Sequence, residues 1–438
     1  MAQIRKRGTS YQFIVADGED ANGKRIERTM TYHPDMNLTP KQREKAMKKA
    51  LMEFEEKVKR GIAIDGERIT FEEFYQKWYN DYAVVELEQT TLYGYDHNIR
   101  TLVIPKIGRM KLSSIKPIHL TSLYNSLRED GVRQDGKEGG YSATTINMVH
   151  MTISAILKKA VEWDVIMFNP CDRVATPKRS KDSDAVEFFT VEQAQTFLRA
   201  LDMVFDQPVK ARKRIDSNGN EYTVTPYTYK VKIPLMFKVL FNIAIYGGLR
   251  RGELVSLTWD DVDFKNQTIR ISKSTAYVNR QTYIKSPKTK SSNREISLPS
   301  SVMGLLAKYQ EEYTENRERL GTAWATDDSG KPLNYLFIQR SGKQMALATP
   351  RKRFLSIIKQ YNETVDSEED KLPLIHFHGL RHTSATLLIA QGIDIATVAG
   401  RLGHSQTSTT LDIYTHQLRK LDKVASEKLE DLLADGND

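Results

Sequence analysis

The sequence predicts a multidomain chain that is mainly α-helical with small β-sheets. Three observations point there. At 438 residues the chain exceeds what one compact core organises, so two or three domains are expected. Apolar residues recur at helical spacing behind capping motifs over most of the length. Strand-like runs are few, short and bounded by turn signals. The expected order is an α+β module over residues 1–62, a helical domain over 67–176, and a mixed α/β, mostly helical domain over 185–438.

In the first module, Tyr11–Val15 and Ile26–Tyr32 read as strands, with Asn22-Gly23 as a hairpin signal between them. Thr39-Pro40 places a capping residue before a proline at the first helical position, and the helix is expected to run to Arg60 and stop at Gly61. Residues 1–62 hold 14 lysines and arginines against 9 aspartates and glutamates, a net of +5 within the +9 of the whole chain. That bias, with Arg5-Lys6-Arg7 leading into the first strand, favours a DNA-contacting sheet over a solvated cap.

The helical domain opens on a capping-box pattern, Thr70 to Glu73. Phe71, Phe74, Tyr75 and Trp78 share one helix face and read as core rather than as a base-stacking platform. A second helix is expected from near Thr90 past Tyr93 to Leu102, with Pro105 and Gly108 breaking the chain. Ile118–Leu127 and Ser142–Trp163 supply two more helices around a glycine-rich loop, Asp130–Gly140. The polar stretch Thr176–Asp184 reads as a linker.

In the third domain, Thr190 to Gln193 is a capping box that opens a helix through Leu201. Asp206–Lys232 is basic and aromatic, carries a Ser217-Asn-Gly-Asn turn, and reads as an inserted hairpin. Ile233–Tyr246 is an apolar helix ended by Gly247-Gly248. A small antiparallel sheet is expected from Thr268–Ile271, a run near Gln281–Ile284, and Arg294–Leu298, with helix for the remainder.

Composition narrows the function classes. Hydrophobic content of 39% and charged content of 28% describe an ordinary globular protein, and the +9 charge favours an acidic partner such as nucleic acid. A single cysteine, Cys171, excludes an internal disulfide framework. No apolar run approaches the ~20 residues of a membrane span, and the N-terminus lacks the apolar core of a secretory signal. The expected compartment is the cytoplasm, with access to DNA and no membrane partner. Neither a metal-ligand cluster nor a phosphate-cradling glycine loop stands out.

The chemistry is carried by scattered short motifs: Gly248-Leu-Arg250-Arg-Gly-Glu253-Leu254, His378-Gly-Leu-Arg381, Leu402-Gly-His404-Ser and Tyr414-Thr-His416. In-line attack on a phosphodiester spreads negative charge over the non-bridging oxygens, and planar guanidiniums hold those oxygens bidentately. Arg250 and Arg381 are the candidates for that task, with Glu253 placed to orient Arg250. A phenol with pKa about 10 is only ~0.1% phenolate at neutral pH, a handicap of roughly 4 kcal/mol that the arginines and a proton acceptor must offset. Tyr414 is the candidate nucleophile, on a helix expected to start near Thr407. His404, after Gly403 at a tight turn, can donate to a phosphate oxygen. His378 shares a face with Arg381 and can act as a base or a phosphate donor.

In this order the motifs resemble the boxes of the tyrosine recombinases of the phage-integrase family, and the likeness covers nearly the whole chain. The resemblance implies a small N-terminal arm-type DNA-binding module, a helical core-site-binding domain and a catalytic domain. It implies Lys288 as the acid for the leaving 5′ oxygen, within Pro287-Lys288-Thr-Lys290, with Lys290 as a fallback. It further implies a 3′-phosphotyrosine intermediate without cofactor or metal. Partners would be double-stranded DNA at attachment sites, four protomers on two duplexes, and accessory DNA-bending or directionality factors. Integration or excision of a prophage or conjugative transposon is the activity expected. A type IB topoisomerase and a DNA-binding regulator with a degenerate site are the competing readings.

Overall fold

Phe13 and Val15, two residues apart on one strand, are both buried, and that alternation sets the N-terminal architecture. In the computed structural model, which describes residues 2–19, 23–59, 69–177, 187–285 and 293–403, three antiparallel strands run in the order β1 (Gln3–Arg7), β2 (Ser10–Glu19), β3 (Arg25–Tyr32). Helix α1 (Pro40–Lys59) lays Phe54 and Val58 against Phe13 and Val15. It starts at the proline that the sequence marks. Strand β1 is not foreseen: Arg5-Lys6-Arg7 lie within the sheet rather than ahead of it, on a strand whose five residues are all exposed. The register sets Arg5 opposite Gln12 and Arg7 opposite Ser10, on the face away from Phe13 and α1.

Helix α2 (Phe71–Trp78) begins at its capping box. The Glu73 N–H donates to Thr70 Oγ1 (3.3 Å) and the Thr70 N–H to Glu73 Oε2 (2.8 Å). All four aromatics of its stripe are buried, as core. A π-turn, Tyr79–Ala83, leads to α3 (Val84–Glu86) and α4 (Gln89–Asn98). A second π-turn, Ile99–Val103, runs straight into α5 (Ile104–Ile107), so Pro105 does not break the helix. The wide turn has already left the regular ladder, and the missing N–H and bulky ring of Pro105 fall where no ordinary helical bond is lost. Helices α6 (Pro117–Ser126) and α7 (Ala143–Glu162) complete this core. Met1–Asp184 form one compact unit and Ala185–Asp438 a second. Past Pro177, the expected linker lies outside the described residues.

In the second unit, α8 (Val191–Ala200) is capped by Thr190, whose Oγ1 accepts from the Gln193 N–H (3.2 Å). The inserted hairpin is present: β4 (Val204–Val209) pairs with β7 (Tyr227–Lys232), and β5 (Arg212–Ile215) with β6 (Glu221–Val224). Buried Phe205 anchors its base. Helix α9 (Leu235–Gly247) is the core helix, burying Val239, Leu240, Phe241, Ile243 and Ala244, and α10 (Arg251–Ser256) follows at once.

The expected sheet is split in two. β8 (Val262–Asp263), β9 (Thr268–Ile271) and β12 (Arg294–Ser297) form one sheet in the order β12-β9-β8. β11 (Gln281–Lys285) pairs instead with the unforeseen β10 (Ser274–Val278). Their turn is Asn279-Arg280 with φ of 48° and 63°, a left-handed pair without the glycine that signals such hairpins. Helices α11 (Ser300–Leu320), α12 (Thr349–Asn362), α13 (Gly379–Ala390) and α14 (Ile395–Leu402) follow. Residues 325–348 are not helical as expected. Bridges Thr326–Pro332 and Ile338–Gln344 close tight turns at Gly330 and Gly342, both at positive φ.

Candidate active site

Helix α14 ends in a left-handed cap, Gly403 at φ 68°. A helix end exposes carbonyls that have no partner within the helix and carry partial negative charge. Here three consecutive carbonyls each accept from a different arginine. Arg401 O takes Arg294 Nε (2.8 Å), Leu402 O takes Arg381 Nη2 (2.7 Å), and Gly403 O takes Arg250 Nη2 (3.2 Å). Residues from α13, β12 and the α9–α10 turn are thereby gathered at one point.

Arg250 reaches it because α9 stops abruptly. Gly248 adopts φ 62°, and a Cβ there would lie 2.6 Å from Leu402 Cδ2 and 3.2 Å from Ser384 Oγ, so this turn wedges against α13 and α14 only as glycine. Its carbonyl accepts from Arg381 Nη1 (2.8 Å). Arg381 is 2% exposed, while the Arg250 side chain stays 38% exposed. Glu253 orients Arg250 as the sequence suggests: its Oε2 accepts from the Arg250 N–H (2.9 Å) and its Oε1 from Nη1 (2.9 Å). Burial pushes the Glu253 carboxyl up, but the hydrogen bonds and charge of Arg294, then those of Arg250, outweigh it and hold the pKa below the ordinary value.

His378 sits at the N-cap of α13. One side of the residue meets solvent; the protein packed behind it, then the charges of Arg381 and Arg250, lower its pKa despite Glu253. The shift favours the neutral imidazole, the form that can accept a proton. His382, one turn on, meets it edge-on at 4.8 Å between ring centroids.

The structure thus brings Arg250, Arg381, His378 and Glu253 together. Lys288, Lys290, His404 and Tyr414 lie outside the described residues, as do His416 and the segment beyond. Two arginines escaped the sequence reading. Arg294 donates Nη1 to Glu253 Oε1 (3.2 Å) and Nη2 to Oε2 (2.8 Å). Arg401 donates Nη2 to Tyr246 O (2.8 Å) and Ser297 O (2.9 Å), tying α9 to β12. A signal for Arg294 was present: it shares a strand face with Ile296, which is 1% exposed, and an inward charge needs an acidic partner. Among the described residues no His, Cys, Asp and Glu group is arranged to hold a metal, and no helix is long and apolar enough to cross a membrane.

The phage integrase family model matches residues 225–420, and the phage integrase N-terminal SAM-like domain model matches residues 70–128, together more than half of the chain. The chain belongs to the phage integrase family of tyrosine recombinases, enzymes that break and rejoin DNA. A tyrosine recombinase XerC-like protein of Caldanaerobacter subterraneus subsp. tengcongensis is 26% identical over 96% of both chains. The ICEBs1 integrase of Bacillus subtilis is 28% identical over 68% of both. The transposase from transposon Tn916 of Enterococcus faecalis is 24% identical over 85% of this chain and 80% of its own. A solved Tn1549 transposon integrase in complex with transposon right end DNA shares the fold, with a TM-score of 0.59 at 23% identity over 82% of this chain and 100% of that one. A lambda integrase dimer bound to a core site shares it at TM-score 0.50 and 15% identity, over 79% and 95%. The chain is thus similar to integrases and transposases of mobile elements.

Proposed function

We propose that Tyr414 is the nucleophile of a site-specific recombination that integrates or excises a prophage or conjugative transposon. The observation that carries the reading is the convergence of Arg250 and Arg381 on the end of α14, with His378 at the start of α13 close to both. Arg250 keeps solvent access and spare donors from its five N–H groups, so a phosphate oxygen can join its existing bonds. The order of events follows from the charges. The Tyr414 phenol attacks the scissile phosphorus in line and passes its proton to His378. The bond to the 5′ oxygen breaks, and Lys288, or Lys290 beside it, protonates that leaving oxygen to give a 5′ hydroxyl. Arg250, Arg381 and His404 hold the non-bridging oxygens as their charge grows.

The bond energy stays in the 3′-phosphotyrosyl link. A 5′ hydroxyl from the partner duplex attacks it, the phosphorus–phenol bond breaks, and Tyr414 regains its proton. Exchange of both strand pairs engages four protomers on two duplexes at attachment sites in cytoplasmic DNA, with accessory DNA-bending or directionality factors. Arg5 and Arg7, on the sheet face that α1 leaves uncovered, suit the N-terminal module to the phosphate backbone of arm-type sites. A nicked suicide duplex built from the DNA flanking the gene tests the reading. The wild-type chain should form a covalent adduct on a denaturing gel; Tyr414→Phe should bind the duplex equally and form none. An adduct that persists in the variant removes Tyr414 from the role.

A further inference from the structure

Glu253 is shared evenly between two arginines. Its Oε1 accepts from Nη1 of Arg250 (2.9 Å) and Nη1 of Arg294 (3.2 Å). Its Oε2 accepts from the Arg250 backbone N–H (2.9 Å) and Arg294 Nη2 (2.8 Å). Arg294 is thus forked onto the carboxylate in a bidentate pair, with its side chain 7% exposed and that of Glu253 6%. Its remaining edge is fixed as well, because Nε donates to Arg401 O (2.8 Å). Above the guanidinium lies the Gly403 turn: a Cβ on Gly403 would fall 2.8 Å from Arg294 Nη1 and 3.0 Å from Cζ. That turn also supplies the carbonyl that receives Arg250 Nη2 (3.2 Å). Arg250 therefore has two side-chain anchors, Glu253 Oε1 and Gly403 O, and Arg294 braces both.

We infer that Arg294 is a positioning residue for DNA cleavage: through Glu253 and the Gly403 turn it fixes the guanidinium of Arg250, while all three of its own guanidinium nitrogens are taken by Glu253 and Arg401 O. A buried arginine–glutamate pair with a purely structural duty needs one partner on each side. Here the carboxylate is divided bond for bond between a buried arginine and one that opens to solvent, and the second brace acts on the same guanidinium from the opposite side. Misplacing a catalytic group by about 1 Å can cost on the order of 10²-fold in rate. Arg294→Met keeps the bulk of the side chain and removes the fork. It should lower the cleavage rate at saturating DNA by about 10²-fold while leaving DNA affinity within roughly two-fold.

The inference rests on Arg250 serving the phosphate, and the test separates the two. The full-length chain is assayed on the nicked flanking duplex, with single-turnover adduct formation and anisotropy binding measured side by side. A wild-type chain that forms no adduct defeats the underlying reading. A wild-type adduct with an indifferent Arg294→Met defeats only the inference. Arg250→Lys and the double variant Arg294→Met/Arg250→Lys complete a cycle. If Arg294 acts through Arg250, the double variant cleaves at the rate of Arg250→Lys alone; multiplied losses overturn the inference. Should Arg294→Met fail to fold, Arg294→Lys retains charge but not the planar fork. It must then lose cleavage at unchanged DNA affinity, and wild-type cleavage in that variant overturns the proposal.

Discussion

Two glycines of one helix, three residues apart, should respond to alanine with opposite signs. Gly403 caps α14 at φ 68°, and an added Cβ would lie 2.8 Å from Arg294 Nη1. That guanidinium cannot retreat, being fastened to Glu253 and Arg401 O. Left-handed strain of about 1–2 kcal/mol and overpacking of about 1–3 kcal/mol together give roughly 2–5 kcal/mol of destabilisation for Gly403→Ala. For a unit of this size that lowers Tm by roughly 4–20 °C. Gly400 lies within the same helix, and a Cβ there meets nothing within 4 Å. Gly400→Ala should therefore raise stability by up to about 1 kcal/mol, the helix-propensity gain. Urea titration of the intact chain, followed by circular dichroism, measures both midpoints. If the two variants shift together, or Gly403→Ala melts like wild type, the packing argument for the cap is wrong.

Arg250→Ala and Arg381→Ala should each slow adduct formation by about 10²–10³-fold at saturating DNA, by analogy with lost oxyanion donors. Arg381→Ala should also lower the melting temperature, since it leaves the buried Gly248 and Leu402 carbonyls without their guanidinium partner. The pH profile follows from two lowered pKa values. Cleavage by a neutral His378 should hold level as pH falls through ~6.5 and decline only below it, and stability should fall over that window because the unfolded state binds the proton first. The contribution of ionised Glu253 is complete above ~4.3 and is lost as pH drops through its lower folded value, so Glu253→Gln should flatten the acid limb of a stability–pH curve. For the N-terminal module, Arg5→Ala/Arg7→Ala should reduce the slope of log affinity against log salt by about 1.8 on arm-site duplex DNA, the value for two lost phosphate contacts. An unchanged slope would remove those arginines from the backbone-tracking role.

Much of the fold was legible because local chemistry and tertiary packing agree. Thr70, Thr190 and Pro40 mark helix starts through capping geometry alone, and the helices begin there. Legibility failed where tertiary context overrode the local signal. Pro105 continues a helical segment because the preceding π-turn absorbs it. β1 lacks apolar alternation and exists because β2 offers it an edge. The Asn279-Arg280 turn bends left-handed without glycine, so β10 went unseen. In the site, Arg250, Glu253, His378 and Arg381 were readable because each stands in a short local motif. Arg294, whose only signal was its inward strand position, and Arg401 stand in no such motif, and their partners lie 41 residues away for Arg294 and Glu253, and 104 and 155 for Arg401 with Ser297 and Tyr246.

The placement of charge explains why, in the proposed reaction, the phosphate would be met by side chains rather than by a helix N-terminus. Backbone N–H groups at an N-terminus bind phosphate directly, whereas α14 presents its opposite, negative end. That end attracts cations, and the carbonyls of Arg401, Leu402 and Gly403 fix one arginine each. Buried charge on Arg381 is tolerable because the carbonyl dipoles of Gly248 and Leu402 share it. The guanidiniums are then held in place before any phosphate arrives, so little reorganisation is left for the transition state. The same economy makes the arrangement fragile. Arg250 and Arg294 share both Glu253 and the carbonyls of one turn, so variants at residues 250, 253, 294 and 403 should combine non-additively, each exposing the loss the others already caused.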